Sequence, residues 1–275
     1  IDEISGAAAA MRAHAVRIDT CGLEVVDVVG TGGTGISTFN VSTSAAIVAA
    51  GAGAKVAKHG NRTNARASGS ADVLAALGVN LDAAPEVVSR CLAEAGVCFC
   101  FAPMCHPAMK YAVPVRKQLG VRTIFNCLGP LTNPAGASRQ VMGVYDASLT
   151  VPMAEVLRNL GVTRAITGGT TVAELADGEI NTRTVRPEDF GLASSKLEEL
   201  LVDSVESSAA AVRDVLGGEK GARRDMVLLN AGAALVVAGH AASLAEGATQ
   251  AAASIDAGAA ARAARKLAEI TRAAA

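Results

Sequence analysis

"VVDVVGTGGTGISTFNVST", Val25 to Thr43, sets four valines and one aspartate against a turn with four glycines in six positions, then a cluster of Asn, Ser and Thr. The valine run, with Leu23 before it, reads as a buried strand over Leu23–Val29. Glycines after a strand permit positive φ and let backbone N–H groups approach an anion with no Cβ in the way. Asn40, Ser42, Thr43 and Ser44 then open a helix, Asn40–Ala52, whose first turn offers free N–H groups and the positive end of a dipole. Together they describe a cradle for phosphate or pyrophosphate at the carboxyl edge of an open α/β sheet. The turn is not GxxxxGK[ST], because no Lys stands in place, and it is not a clean GxGxxG.

The strand–helix alternation continues outward from this stretch. Asp2–Ala15 reads as a helix, Lys55–Ala57 as a short strand, and "KHGNRTNARASGS" as a polar loop. Ala71–Leu77 reads as a helix with Gly78 as its C-cap, and Pro85–Gly96 starts on Pro and stops on Gly. Val97–Phe101 is a strand, Pro107–Leu119 a helix, Arg122–Phe125 a strand and "LGPLTNPAG" a loop. Val141–Val144 and Val151–Leu160 repeat the pattern as strand and helix. Thr171–Leu175 and Glu179–Arg183 form a hairpin about Asp177-Gly178, and the tail carries helices at Ser207–Leu216, Asp225–Ala238 and Ala241–Arg272. The fold class is α/β, a largely parallel sheet flanked by helices.

Composition sets the outer limits. At 275 residues, 51% hydrophobic and 19% charged, the chain can bury a core and is globular rather than disordered. A net charge of −1 argues against nucleic acid as a partner. The cysteines at 21, 91, 98, 100, 105 and 127 contain no CxxC pair, so buried thiols in a reducing compartment are expected. No apolar run reaches the roughly 20 residues of a membrane span, and no signal peptide is visible, so a soluble cytoplasmic protein with no membrane partner is expected.

Two further stretches carry chemistry. In "KHGNR", Lys58 and Arg62 can neutralise phosphate, while His59 and Asn61 can hold a planar polar ligand. "SGS" at Ser68–Ser70 precedes another helix and offers a second N-terminal anion site, so the ligand is expected to carry phosphate at both ends. In "HPAMKYAVPVR", His106 and Arg116 lie ten residues apart, and Arg suits a carboxylate through paired hydrogen bonds.

With these stretches in hand the chain resembles the anthranilate phosphoribosyltransferases of tryptophan biosynthesis. "DVVGTGG…TFNVST", "KHGNR", "SGSADVLAALGVNLD", "FAPMCHPAMKYAVPVRKQLGVRTIFNCLGPLTNPAGA" and "RRDMVLLNAGAAL" carry the resemblance over nearly the whole chain. Class II pyrimidine nucleoside phosphorylases are similar in fold, but carry a different glycine loop and lack "LGPLTNP"; with a nucleic-acid-binding relative of the same fold, they are the alternatives. The resemblance implies that the amine of anthranilate attacks C1′ of phosphoribosyl pyrophosphate (PRPP), and that pyrophosphate leaves with Mg2+. It implies PRPP contacts from Gly30, Gly33, Thr34, Thr38, Asn40, Val41, Ser42, Thr43, Lys58, His59, Gly60, Asn61, Arg62, Arg66 and Ser70. Anthranilate would meet Gly30, Asn61, Arg116, His59, His106 and Pro130, and Ser42 would help ligate magnesium. No covalent protein nucleophile is arranged, so rate should come from positioning and electrostatics. A homodimer is also implied. Residues 1–20 would be the remnant of a small helical domain that is incomplete at its N-terminus, 21–275 the α/β domain, and 106–135 a contributor of helices to the small domain.

The chain departs from the family pattern in three places. Thr34 stands where the glycine loop usually continues with Asp. Ile1 falls in what resembles the middle of the helical domain, as if the chain were truncated or began earlier. The acidic Asp-Glu magnesium pair, in a segment resembling "HGxxGLDE", is missing, with its strand, near Ala165–Ile166, where we expect a segment to have dropped out of the sequence. Asp2 and Glu3 in "IDEIS" imitate that pair but suit a helix N-terminus, and Glu174 and Asp177 belong to the hairpin.

Overall fold

In the computed structural model, residues 1–63 and 67–273 are described. β1 (Val26–Gly30) lies inside the sheet, in parallel register with β2 (Val56–Gly60) on one side and β4 (Arg139–Gly143) on the other. β3 (Val97–Phe101) lies outside β2, and β5 (Arg164–Gly168) beyond β4, both parallel. The antiparallel strands β6 (Thr171–Ala176) and β7 (Glu179–Thr184) finish the sheet, giving the order β3-β2-β1-β4-β5-β6-β7. Strands covered on both faces read as unbroken apolar runs, which is why "VCFCF" in β3 is buried throughout.

Small residues set the helix layer. α2 (Val41–Gly51) follows β1 and is buried from Thr43 to Ala50. It packs against α10 (Ala222–Val237) and α12 (Ala259–Arg272). α10 in turn crosses α11 (Leu244–Asp256) at Gly232 and Gly247, where a Cβ on Gly247 would fall on the Gly232 carbonyl. Gly247→Ala must push these helices apart, and we expect it to cost about 2–3 kcal/mol, read as a lowered Tm. A second apolar cluster joins α1 (Asp2–Ala13), α7 (Phe125–Leu131) and α8 (Thr150–Asn159) through Ala8, Leu128, Leu131, Met153 and Leu157. Arg12 staples α1 in place: its Nε donates to the Leu131 carbonyl at 2.6 Å and its Nη1 to the Leu160 carbonyl at 2.9 Å.

Several expected elements change. β2 does not stop at Ala57 but pairs with β3 as far as Gly60↔Phe101, so "KHG" is strand and not loop. Arg122–Phe125 forms no strand. Instead the Thr123 N–H donates to Asn126 Oδ1 at 2.9 Å, and the Asn126 N–H to the Thr123 carbonyl at 3.0 Å. This turn leads into α7, which absorbs the "LGPL" assigned to a loop. Pro107–Leu119 splits into a 3-10 turn, Pro107–Tyr111, and α6 (Ala112–Leu119). Pro114 has no N–H to donate, a lack that a helix tolerates in its first turn, and α6 starts just before it. Ala241–Arg272 divides at Gly258, whose φ of +69° ends one helix and opens the next. At Ala165–Ile166, where a segment and its strand were expected to be missing, the residues on either side join in one strand: both are buried inside β5, which turns directly into β6.

Candidate active site

Strand order reverses direction between β1 and β4, and at that switch point the carboxyl ends of β1, β2 and β4 open a cavity of about 990 Å3. Gly30, Gly60 and Gly143, the last residues of the three strands, all line it. The glycine turn forms the roof. Gly32 and Gly33 have φ of +66° and +79°, which favours glycine at both. The Tyr145 ring lies under Gly33, and the turn is pinned to β4, with the Thr31 N–H donating to the Gly143 carbonyl at 2.9 Å and the Tyr145 N–H to Thr31 Oγ1 at 3.0 Å.

The expected residues converge here, with two exceptions. Gly30, Gly33, Thr34, Thr38, Asn40, Val41 and Ser42 line the cavity from the glycine turn and the start of α2. Lys58, His59, Gly60, Asn61, Arg62 and Ser70 line it from β2, the residues just after it and the start of α3 (Ser70–Ala76); His106, Arg116 and Pro130 also line it. Thr43 is the correction. It is wholly buried and turned inward, its hydroxyl donating to Asn40 Oδ1 at 2.5 Å, so it braces Asn40 rather than facing a ligand. Arg66 lies outside the described residues. Pattern reasoning passed over Thr31, Lys110, Tyr145 and Asn230, which also line the wall. Asn230 carries a signal in hindsight, a lone amide inside the apolar run "MVLLNAGAAL".

Burial sets the electrostatics. Lys58 is 3% exposed, and its Nζ donates to the Val28 carbonyl at 2.7 Å and to Ser42 Oγ at 3.1 Å. Asp27, fully buried on β1, accepts the His59 N–H at 3.1 Å. Desolvation raises the Asp27 carboxyl to about 6 and lowers the Lys58 ammonium to about 8, each shift opposed by the partner's charge. His59, also 3% exposed, lies with its Nδ1 3.0 Å from the Gly129 carbonyl; desolvation, then the charge of His106, lower its pKa to about 3. The His106 ring lies 5.1 Å from that of His59, tilted by 58°. Arg62 pairs with Asp72 at 2.9 Å and lies over Phe101, and the Arg116 guanidinium lies 5.1 Å from the Phe125 ring centre.

The wall has one sign of charge. Lys58, Arg62, Lys110 and Arg116 line it, and among the described residues no Asp or Glu does. The magnesium implied at Ser42 therefore meets a poor donor set. The Ser42 hydroxyl already accepts a hydrogen bond from the Lys58 ammonium, and Thr34 Oγ1 accepts the Ile36 N–H at 3.3 Å. The described residues contain no cluster of three or more His, Cys, Asp or Glu able to hold a metal. Asp2 and Glu3 sit in the first turn of α1, and Glu174 pairs with Arg183. These residues do not fit a protein-held magnesium, which wants carboxylate oxygens.

A cationic, amide-rich cavity at the switch point of a parallel sheet defines a protein that handles phosphorylated small molecules, and residues 22–261 match the family model described as glycosyl transferase family, a/b domain. Within that class the chain belongs to the anthranilate phosphoribosyltransferase family. The relative of that name from Azorhizobium caulinodans is 50% identical over 286 positions, covering 99% of this chain and 83% of the relative. The crystal structure of the Thermus thermophilus enzyme of that name superposes with a TM-score of 0.93 at 42% identity, over 98% of this chain and 84% of that one. The Saccharomyces cerevisiae enzyme, solved in complex with PRPP and Mg, gives 0.88 at 27% identity over 98% and 80%; it is also solved with 4-fluoroanthranilate. An alignment of 286 positions is longer than the 275-residue chain, so the Azorhizobium relative carries residues that this chain lacks.

Proposed function

We propose that this chain transfers the phosphoribosyl group of PRPP to the amine of anthranilate, giving N-(5-phosphoribosyl)anthranilate and pyrophosphate in tryptophan biosynthesis. The observation that carries this is one cavity whose wall gathers the glycine turn, the start of α2, Lys58 and Arg62 together with Arg116, Asn61, His59 and His106 and, among the described residues, no carboxylate. The glycine turn, the α2 N-terminus, Lys58 and Arg62 suit the phosphates of PRPP. Arg116 suits the carboxylate of anthranilate, with Asn61, His59, His106 and Pro130 around the ring. As the C1′–oxygen bond breaks, negative charge grows on pyrophosphate, where Lys58 and backbone N–H groups meet it. Arg116 holds a weakly nucleophilic aromatic amine in line, so orientation supplies much of the rate. The same reading makes this a cytoplasmic homodimer; no helix among the described residues is long and apolar enough to cross a membrane. The exposed apolar side chains of Tyr111, Val115, Leu119 and Val121 support the dimer.

Product fluorescence with PRPP and anthranilate tests the assignment. Turnover supports it; phosphorolysis of a pyrimidine nucleoside in its place, or no PRPP binding by calorimetry, overturns it. Magnesium gives a separate expectation. With no carboxylate on the described wall, we expect any divalent ion to arrive only on the phosphates of PRPP. Electron paramagnetic resonance should find no saturable Mn2+ site on the protein alone and should find uptake once PRPP is added. A stoichiometric Mn2+ on the ligand-free protein would contradict this.

A further inference from the structure

His59 and His106 are the two imidazoles on the cavity wall, 3% and 6% exposed, and the Nε2 of each is buried without a hydrogen-bond partner. For His59 the tautomer follows from its other nitrogen. A carbonyl can only accept, so Nδ1, 3.0 Å from the Gly129 oxygen, carries the proton, and Nε2 is left with a bare lone pair. A buried acceptor without a donor costs about 1–3 kcal/mol, and such a group persists where a ligand supplies the donor. Phosphates and carboxylates supply none; an amine does.

The chemistry of the transfer asks for the same group. As the amine nitrogen bonds to C1′, the C1′–oxygen bond breaks and its electron pair leaves on pyrophosphate. The nitrogen then holds one proton too many. No Asp or Glu lines the cavity among the described residues, and Lys58 and Arg116 are cations. On the transferase reading above, we propose that His106 accepts the proton released by the amine, while His59, fixed with Nε2 as acceptor, orients the amine through one of its N–H bonds. The proton leaves His106 for solvent or for the departing pyrophosphate, which closes the balance. Burial lowers the pKa of both rings, so both are neutral near pH 7, and His59, at about 3, is the poorer base of the two. His106 faces His59 from β2 and the Thr132 carbonyl after α7, and Lys110 and Arg116 line the same cavity.

Two measurements test this. In the fluorescence assay, wild-type kcat should fall with an acid limb as His106 protonates. His106→Ala should lose about 100-fold in kcat with the KM for PRPP little changed, should lose the acid limb, and should recover in part with added imidazole. By calorimetry without PRPP, wild type should bind anthranilate about fivefold to tenfold more tightly than benzoate, which lacks the amine, and His59→Phe should lose that preference. A His106→Ala enzyme with unchanged kcat and acid limb, or equal wild-type affinity for anthranilate and benzoate, overturns the proposal. The binding arm decides even if turnover is very slow. Failure of the transferase reading looks different: wild type then binds neither PRPP nor anthranilate, and this inference falls with it.

Discussion

Lys58→Met should lower kcat/KM for PRPP by about 1000-fold while leaving the protein folded. Removing one preorganised donor from a developing oxyanion costs about 100- to 1000-fold, and Lys58 supplies a full charge in a nearly dry place. No carboxylate-held metal shares the task among the described residues, so its share is large. Met has a similar length and volume, but it removes the cation whose charge opposes the desolvation of Asp27. Burial has already raised that carboxyl to about 6 against the pull of Lys58, so removing the lysine raises it further and favours the neutral acid near neutral pH. A protonated Asp27 can still accept the His59 N–H, so β2 keeps its place. We therefore expect a Tm within a few degrees of wild type. Loss of PRPP affinity by calorimetry with an intact Tm confirms Lys58 as a phosphate ligand. An unchanged KM for PRPP contradicts it and leaves Lys58 as a structural partner of Asp27.

The same lysine shows what pattern reading can and cannot reach. The valines of β1 and the glycines after them specify strand and turn from local chemistry, so the cradle was legible in the letters. So was the hairpin of β6 and β7, whose Asp177-Gly178 turn has φ of +52° and +80°. "KHG" was misplaced in a loop because its residues are polar. Only the parallel ladder to β3, formed by residues 41 positions further along the chain, draws it into the sheet. That displacement matters chemically: a loop lysine would be solvated, whereas Lys58 on a buried strand has a depressed pKa and a fixed direction. Thr43 failed for the opposite reason. A hydroxyl at a helix N-terminus looks like a phosphate ligand, but its rotamer points to Asn40. His59 and His106 stand 47 residues apart in the chain, so no spacing rule pairs them; β2 and the end of α5 (Ala102–Cys105) bring their rings together. The strand near Ala165 was missed because "RAITG" carries only two apolar residues, Ala165 and Ile166, and its burial comes from pairing with β4 and β6.

Arg116→Ala should raise the KM for anthranilate by about 100- to 1000-fold and leave the KM for PRPP within a factor of a few. A carboxylate drawn into a cavity loses its hydration, and truncating its hydrogen-bonded partner costs about 2–5 kcal/mol. Arg116 is preorganised for this because its guanidinium is held against the Phe125 ring, which limits the rotamers that binding must freeze. Lys110 lines the same cavity, but its ammonium lies over the neighbouring Tyr111 ring and is a point charge without a planar fork, so it should recover only a small part of the loss. For the same reason Arg116→Lys should remain impaired by at least about tenfold. Steady-state kinetics with each substrate varied separately decides the matter. A loss confined to anthranilate places the acceptor at the α6 end of the cavity and PRPP at the glycine turn. Equal losses for both substrates would mean that Arg116 instead holds the cavity's shape, because a purely structural defect has no reason to distinguish the two ligands.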